Sequence, residues 1–410
     1  MISKEITKCR LCDAADLHTI LELGDQPPAN SLRKTVSETL ENVPLTICRC
    51  PECTTIQLTE TIDPKYMFCD YIWVTGTSKG AREYSKIFAD RIISKLNKSE
   101  DSFILEVASN DGTFLQRFKE AGHRVLGVDP AKNLAELAQK NGIPTLADFF
   151  GRNVAKKITE ENGYADIVIA RNVIPHVPDP NDVVGGMAEC LKENGVGAIE
   201  FHWIGKILSE LHYDSIYHEH FFYHSLHSIN ELLLRHGLNL FDVAESPISG
   251  GSLVAFFSKE KRVVTNELKD QLEREDEKGI ASLEAWQDFA KMSFEHRVKL
   301  KSMIDSENLS GKKVIGYGAS ARSSTMLNFC GIDHNHLACV ADQNTLKHNR
   351  YTPGTDVLIV SPEEALKENP DTVVILAWNF KDEIIEDLKE KGFKGSVIIP
   401  LPNTPYLLEI

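Results

Sequence analysis

The chain contains no run of 18 or more apolar residues, and its opening residues Met1-Ile2-Ser3-Lys4-Glu5 begin no apolar stretch of signal-peptide length. Both absences predict a chain that neither crosses a membrane nor carries an export signal, so the expected location is the cytoplasm. An excess of basic charge is missing as well. Lys and Arg number 45 against 60 Asp and Glu, for a formal net charge of −15. That balance argues against nucleic acid as the main partner, because such binding needs clustered cations that displace counterions. It leaves open a small anionic ligand, which needs only a local pocket of amides or a single cation. Internal repeats and low-complexity tracts are also absent, leaving ordinary packed domains. At 410 residues the expectation is two or three of them. The oligomeric state stays open, a monomer included.

Cysteine is present but unevenly spread. Five of the nine lie at Cys9, Cys12, Cys48, Cys50 and Cys53, in a segment broken by Pro27-Pro28, Pro44, Pro51 and Pro64. So short and turn-rich a segment buries little apolar surface and needs a staple. Cys9-x2-Cys12 and Cys50-x2-Cys53 are two knuckles that together offer four thiolates, the donor set of a closed structural zinc site. A redox dithiol is the alternative, and Cys48 competes with Cys50 as the fourth ligand.

From Phe103 the pattern turns to alternating strands and helices. Apolar strand runs at 103–107, 124–129, 166–170 and 196–201 are separated by helical stretches at 112–121, 131–141 and 181–192, with a further amphipathic helix at 80–98 before them. This is βαβ patterning and predicts a parallel sheet. Residues 240–258 read as a hairpin, 266–305 as one or two exposed helices, and 313–399 as a second α/β unit. The domains are therefore read as 1–72 (zinc), 73–240 (cofactor) and 241–410 (a second Rossmann-like unit).

The first strand of the middle unit runs into Glu106-Val107-Ala108-Ser109-Asn110-Asp111-Gly112. The Gly-x-Gly-x-x-Gly triplet that admits a dinucleotide pyrophosphate is missing. Glu106 sits badly beside phosphate and well beside the amino and sulfonium groups of S-adenosylmethionine. Asp129, at the end of the second strand, suits the ribose hydroxyls of either cofactor, and Asp148 beside Phe149 and Phe150 suits an adenine amino group. Further on, residues 202–227 hold six of the fourteen histidines, most densely in Tyr217-His218-Glu219-His220-Phe221-Phe222-Tyr223-His224. Histidine is the natural proton acceptor near neutral pH. Two other readings stand beside that one: a second metal site on His220 and His224, and plain packing under aromatic rings.

Arg171-Asn172-Val173-Ile174-Pro175-His176-Val177-Pro178-Asp179-Pro180, followed by Leu191-Lys192-Glu193-Asn194-Gly195, resembles class I methyltransferases across roughly 103–201. The order of motifs over nearly the whole chain is similar to one family, the sugar C-methyltransferases acting on nucleotide-linked 4-keto sugars. Besides the cysteine knuckles, the resemblance rests on Leu23-Gly24-Asp25-Gln26-Pro27-Pro28-Ala29-Asn30, Ala108 to Thr113, Tyr217 to His220 and Gly316-Tyr317-Gly318-Ala319-Ser320-Ala321. It implies an α/β protein whose class I methyltransferase domain lies between a small N-terminal zinc domain and a C-terminal Rossmann-like domain that anchors the nucleotide sugar. His220 is then the base, with Tyr217, Glu219, His176 and Tyr71 around it. S-adenosylmethionine falls to Glu106, Ala108, Ser109, Asn110, Gly112, Asp129, Asp148 and Asn172. The sugar nucleotide falls to Gly318, Ser320, Arg322 and Asn379, and zinc to the four cysteines. Two departures stand out: Ser249-Gly250-Gly251-Ser252 where His-Gly-Gly-Ser is usual, and Arg322 where Lys is common. The expected reaction is methylation of a sugar carbon, C3, through an enolate. The rivals are O- or N-methylation of another small molecule and an inactive nucleotide-sugar-binding scaffold. A nicotinamide oxidoreductase is disfavoured by the missing triplet.

Overall fold

A computed structural model describes residues 2–69, 71, 73–96 and 101–410. Its centre is a seven-stranded sheet in the order Asn239–Ser246, Ser252–Ser258, Leu191–His202, Ala165–Arg171, Phe103–Val107, Arg124–Val128, Thr145–Leu146. Ser252–Ser258 is antiparallel to both of its neighbours, and the remaining pairings are parallel. Continuous apolar runs form the inner strands because helices cover both faces: Ile104, Leu105, Ile167, Val168, Ile169 and Ala170 are all buried. This is the class I methyltransferase architecture. The boundary read at 240–241 falls inside a strand of this sheet. The hairpin pairs with Leu191–His202 and so belongs to the middle unit, which continues to Ser258.

The helix read at 80–98 spans Lys79–Ile93, and positions 97–98 lie outside the described residues. The helix Arg152–Asn162, which buries Val154, Ala155 and Ile158, was not singled out in the sequence. Its charged face outweighs a short apolar stripe. Residues 266–305 resolve into two helices, Asn266–Glu277 and Leu283–Leu309.

The C-terminal unit has five parallel strands bounded by antiparallel edges at Arg350–Tyr351 and Tyr406–Glu409. The N-terminal unit has a four-stranded sheet, and its outermost strand is Phe222–Tyr223, lent by the histidine-rich segment of the middle unit. The zinc module and the candidate catalytic segment are therefore hydrogen-bonded parts of one sheet.

Candidate active site

The loop after Phe103–Val107 has an unusual backbone. Ala108, Asn110 and Gly112 have φ of 49°, 55° and 79°, so every second residue is left-handed. For L residues other than glycine this conformation costs about 1–2 kcal/mol and clusters where a ligand is held. Gly112 is required by packing as well: a Cβ there would stand 2.9 Å from Ile143 Cγ1. The loop is tied to the next strand by Asp129, whose Oδ2 accepts from Asn110 N at 2.8 Å while its Oδ1 accepts from Ala131 N at 2.9 Å. Each oxygen keeps one lone pair for a ligand hydroxyl. Beyond it Leu146 and Phe149 are exposed apolar side chains beside the exposed Asp148. Asn172, φ 51°, donates its N–H to Glu200 O on the neighbouring strand. Ser109 is buried, and its Oγ has no hydrogen-bond partner.

Glu106 is fully buried and accepts from Arg171 Nε at 2.9 Å, while Arg171 also pairs with the buried Glu200 at 3.5 Å. Burial pushes the Glu106 carboxyl up to about 7 against the pull of Arg171. Its charge is already answered within the protein, and its Oε2 alone lacks a partner. These features together fit S-adenosylmethionine: a left-handed loop, an acid with two free lone pairs, an apolar rim and an orphaned buried carboxylate oxygen.

The histidine segment folds into a cluster over the carboxyl ends of the middle strands, where α/β sheets bind ligands. His220 Nδ1 lies 2.9 Å from Ser215 O and its Nε2 lies 2.8 Å from Tyr217 Oη. A carbonyl only accepts, so Nδ1 carries the proton and Nε2 presents a lone pair. The His176 ring stands 4.6 Å from that of His220, edge to face, and His176 Nδ1 is buried without a partner. Burial depresses both imidazoles, His176 to about 4 and His220 well below the ordinary histidine range, with His176 reinforcing the latter. Both are neutral at pH 7. Glu219 is buried and accepts from Asn30 Nδ2 at 2.5 Å and from Tyr71 Oη at 3.3 Å. Desolvation raises it to about 7, and the two donors hold it down. Tyr71 is joined to the cofactor side through Asn133, whose side chain exchanges hydrogen bonds with its backbone. His224 takes no part: it stacks on Phe222 at 5.3 Å with Nδ1 on Ser228 Oγ, so the His220 and His224 spacing builds no metal pair.

The C-terminal glycine loop is less open than its sequence reads. Gly318 has φ 101°, and a Cβ there would stand 2.4 Å from Ala377 Cβ, so close packing accounts for it. Ser320 caps the helix Ala321–Cys330 in a capping box with Ser323. Arg322, read as a pyrophosphate ligand, is not a free cation: Nε and Nη2 are forked onto Asp214 at 3.0 and 2.8 Å, and the guanidinium lies over Trp378. Asn379 is exposed at the end of the neighbouring strand. Sequence reasoning missed Asp214, which carries no motif. Asn30 belongs to the Leu23 to Asn30 stretch, whose sequence alone gives it no role.

Cys9, Cys12, Cys50 and Cys53 bring their sulfurs within 4.8 Å of one another. Cys9–Cys53 and Cys12–Cys50 are 3.6 and 3.5 Å apart. A tetrahedron with Zn–S bonds of about 2.3 Å has edges of about 3.8 Å, so the four sulfurs fit zinc with no open position. Each knuckle turns through a left-handed residue, Asp13 and Thr54. Cys48 is outside the group, which settles the fourth ligand as Cys50.

Three family models match in the same order as these units: a zinc binding domain over 9–68, a methyltransferase domain over 81–243 and a C-methyltransferase C-terminal domain over 247–402. The chain is 31% identical to C-methyltransferase NovU of Streptomyces niveus over 98% of its own length and 97% of that protein's. Over 22% of this chain and 39% of the relative it is 31% identical to ubiquinone biosynthesis O-methyltransferase of Bordetella avium. Among solved structures, magnesium protoporphyrin IX methyltransferase of Synechocystis PCC 6803 aligns with 44% of this chain and 80% of that one, at 12% identity and a TM-score of 0.34.

Proposed function

The chain belongs to the C-methyltransferase family with an N-terminal zinc-binding domain, and from that premise we propose that it methylates C3 of a nucleotide-linked 4-keto sugar with His220 as the base. S-adenosylmethionine, when bound, supplies an electrophilic methyl group. The residues named for it are Glu106, Ala108, Ser109, Asn110, Gly112, Asp129, Asp148 and Asn172. A 4-keto group acidifies the neighbouring C3–H. His220 Nε2 takes that proton: the C–H bond breaks, an N–H bond forms, and the electron pair passes into the enolate. In the structure the Tyr217 O–H donates to that same Nε2; with substrate bound it turns to the sugar's carbonyl oxygen, which frees the Nε2 lone pair for the proton. Tyr217 with His176 then holds the enolate oxygen, an electrostatic stabilisation that works best in a water-poor site. Gly318, Ser320 and Asn379 remain the proposed contacts for the nucleotide end.

The observation that carries this reading is the fixed tautomer of His220. Its Nδ1–H is bound by Ser215 O and its basic nitrogen faces Tyr217 Oη, beside the orphaned His176 Nδ1. O- or N-methylation of a hydroxyl or amine needs no such carbon base. The test is His220→Asn assayed on a panel of nucleoside-diphosphate 4-keto sugars in deuterated solvent. Methyl transfer and C3 exchange should both vanish while S-adenosylmethionine still binds by calorimetry. Methyl transfer by the wild type without solvent exchange at C3 would favour the O- or N-methylation reading.

A further inference from the structure

We infer that the Arg322–Asp214 fork positions the base: the C-terminal unit holds the turn that fixes the proton on His220. This inference rests on the role proposed for His220. Asp214 is fully buried in the short turn Tyr213–Ser215. It accepts three donors, all from the C-terminal unit: Arg322 Nε and Nη2 at 3.0 and 2.8 Å, and Trp378 Nε1 at 2.8 Å. Two residues on, Ile216 O accepts from Thr325 Oγ1 at 2.9 Å, one helical turn along from Arg322. Between these anchors lies Ser215, whose carbonyl binds His220 Nδ1–H and whose Oγ donates to His212 O at 2.6 Å. The direction of the Ser215 carbonyl is therefore set from both sides by the helix Ala321–Cys330.

A forked Arg–carboxylate pair fixes orientation as well as charge. Removing one member of a buried pair leaves the other uncompensated, so the turn must move when either is lost. Without the Ser215 carbonyl in place the remaining partner is Tyr217 Oη on Nε2, a hydroxyl that pairs with either tautomer, and part of the population carries its proton on Nε2, where it cannot accept another. Arg322 serves here as a positioning residue. Its positive charge is spent on Asp214 and is not available in full to a phosphate.

The test uses the full-length, zinc-loaded protein with 15N-labelled histidine and four variants: Arg322→Met, Asp214→Asn, the two combined, and Arg322→Lys. His220→Asn identifies the His220 signals. In the wild type His220 should show the Nδ1–H tautomer alone, and in Arg322→Met and Asp214→Asn a mixture. On whichever 4-keto sugar nucleotide the wild type accepts, kcat should fall about 10- to 100-fold, the scale of a misplacement of about 1 Å. KM should stay within about threefold. The double variant should be no worse than either single one, and Arg322→Lys should recover part of the loss, since it restores charge without the fork. A single Nδ1–H tautomer in both single variants overturns the inference. So does a rise in KM confined to Arg322→Met with Asp214→Asn silent, which would make Arg322 a phosphate ligand. If the wild type exchanges no C3 proton on any substrate, the C3 reading fails while the tautomer measurement still decides the fork.

Discussion

Glu219 shows how far a single side chain depends on its surroundings. Its carboxyl sits near 7 because burial disfavours the charge more than Asn30 and Tyr71 favour it. It therefore changes protonation near neutral pH. Glu219→Gln keeps the shape and removes the titration. We expect kcat to fall about a hundredfold, within the usual span for a group assisting proton transfer, while the affinity for S-adenosylmethionine measured by calorimetry stays within a factor of two to three. An unchanged kcat would reduce Glu219 to a packing role. The residues of this site were legible in the sequence as types: a dense run of His, Tyr and Glu signals acid–base chemistry. Which histidine stands against His176 was not, because His218, His220 and His224 differ only in partners, which are Val43 O, Ser215 O and Ser228 Oγ.

At the scale of elements, the cofactor loop is a strand-to-helix turn whose left-handed residues alternate. Gly112 begins the helix Thr113–Glu120 as its N-cap, at φ 79°. Gly112→Ala forces a Cβ into both a disfavoured conformation and the Ile143 side chain. The expected cost is about 1–3 kcal/mol of stability, with at least a tenfold weaker binding of S-adenosylmethionine, read by thermal unfolding and calorimetry. Retained affinity would mean that the loop geometry does not hold the ligand. The strand and helix pattern of this unit was readable because apolar runs of strand length alternate with helical periodicity. The left-handed backbone at Ala108 and Asn110 was not, since their side chains do not demand it and only the packed loop imposes it.

For the molecule as a whole, the zinc module supports the candidate catalytic segment directly. Asn30 bonds Glu219, and Phe222–Tyr223 pairs with Ile56–Leu58. Removing zinc with a chelator should abolish methyl transfer while S-adenosylmethionine still binds the middle unit, with activity returning on adding zinc. Loss of cofactor binding at the same chelator concentration would mean that the units unfold together. Acid should also weaken the fold. His176 and His218 are held at about 4 and His224 at about 3, each by burial. Their folded values lie below the unfolded ones, so the stability they carry is present above pH 6.5 and is lost as pH falls toward 4. Glu106 and Glu219, raised to about 7, act in the opposite sense: their contribution is present below about 4.5 and lost as pH rises through 7. Depressed histidines outnumber raised carboxylates among the described residues, so Tm should be lower at pH 5 than at pH 7. An equal or higher Tm at pH 5 would contradict the burial of these imidazoles.

The sequence by itself determined the three-unit order and a four-thiolate zinc site with one donor open between Cys48 and Cys50, because each rests on local spacing: alternating strand and helix, and two cysteine knuckles. Only the tertiary structure decided that the hairpin closes the middle sheet, that Cys50 displaces Cys48, that His220 carries its proton on Nδ1, and that Arg322 answers Asp214. Those outcomes depend on groups between 38 and 108 residues apart or on the direction of one carbonyl. A chain specifies them only through the packing that brings its units together.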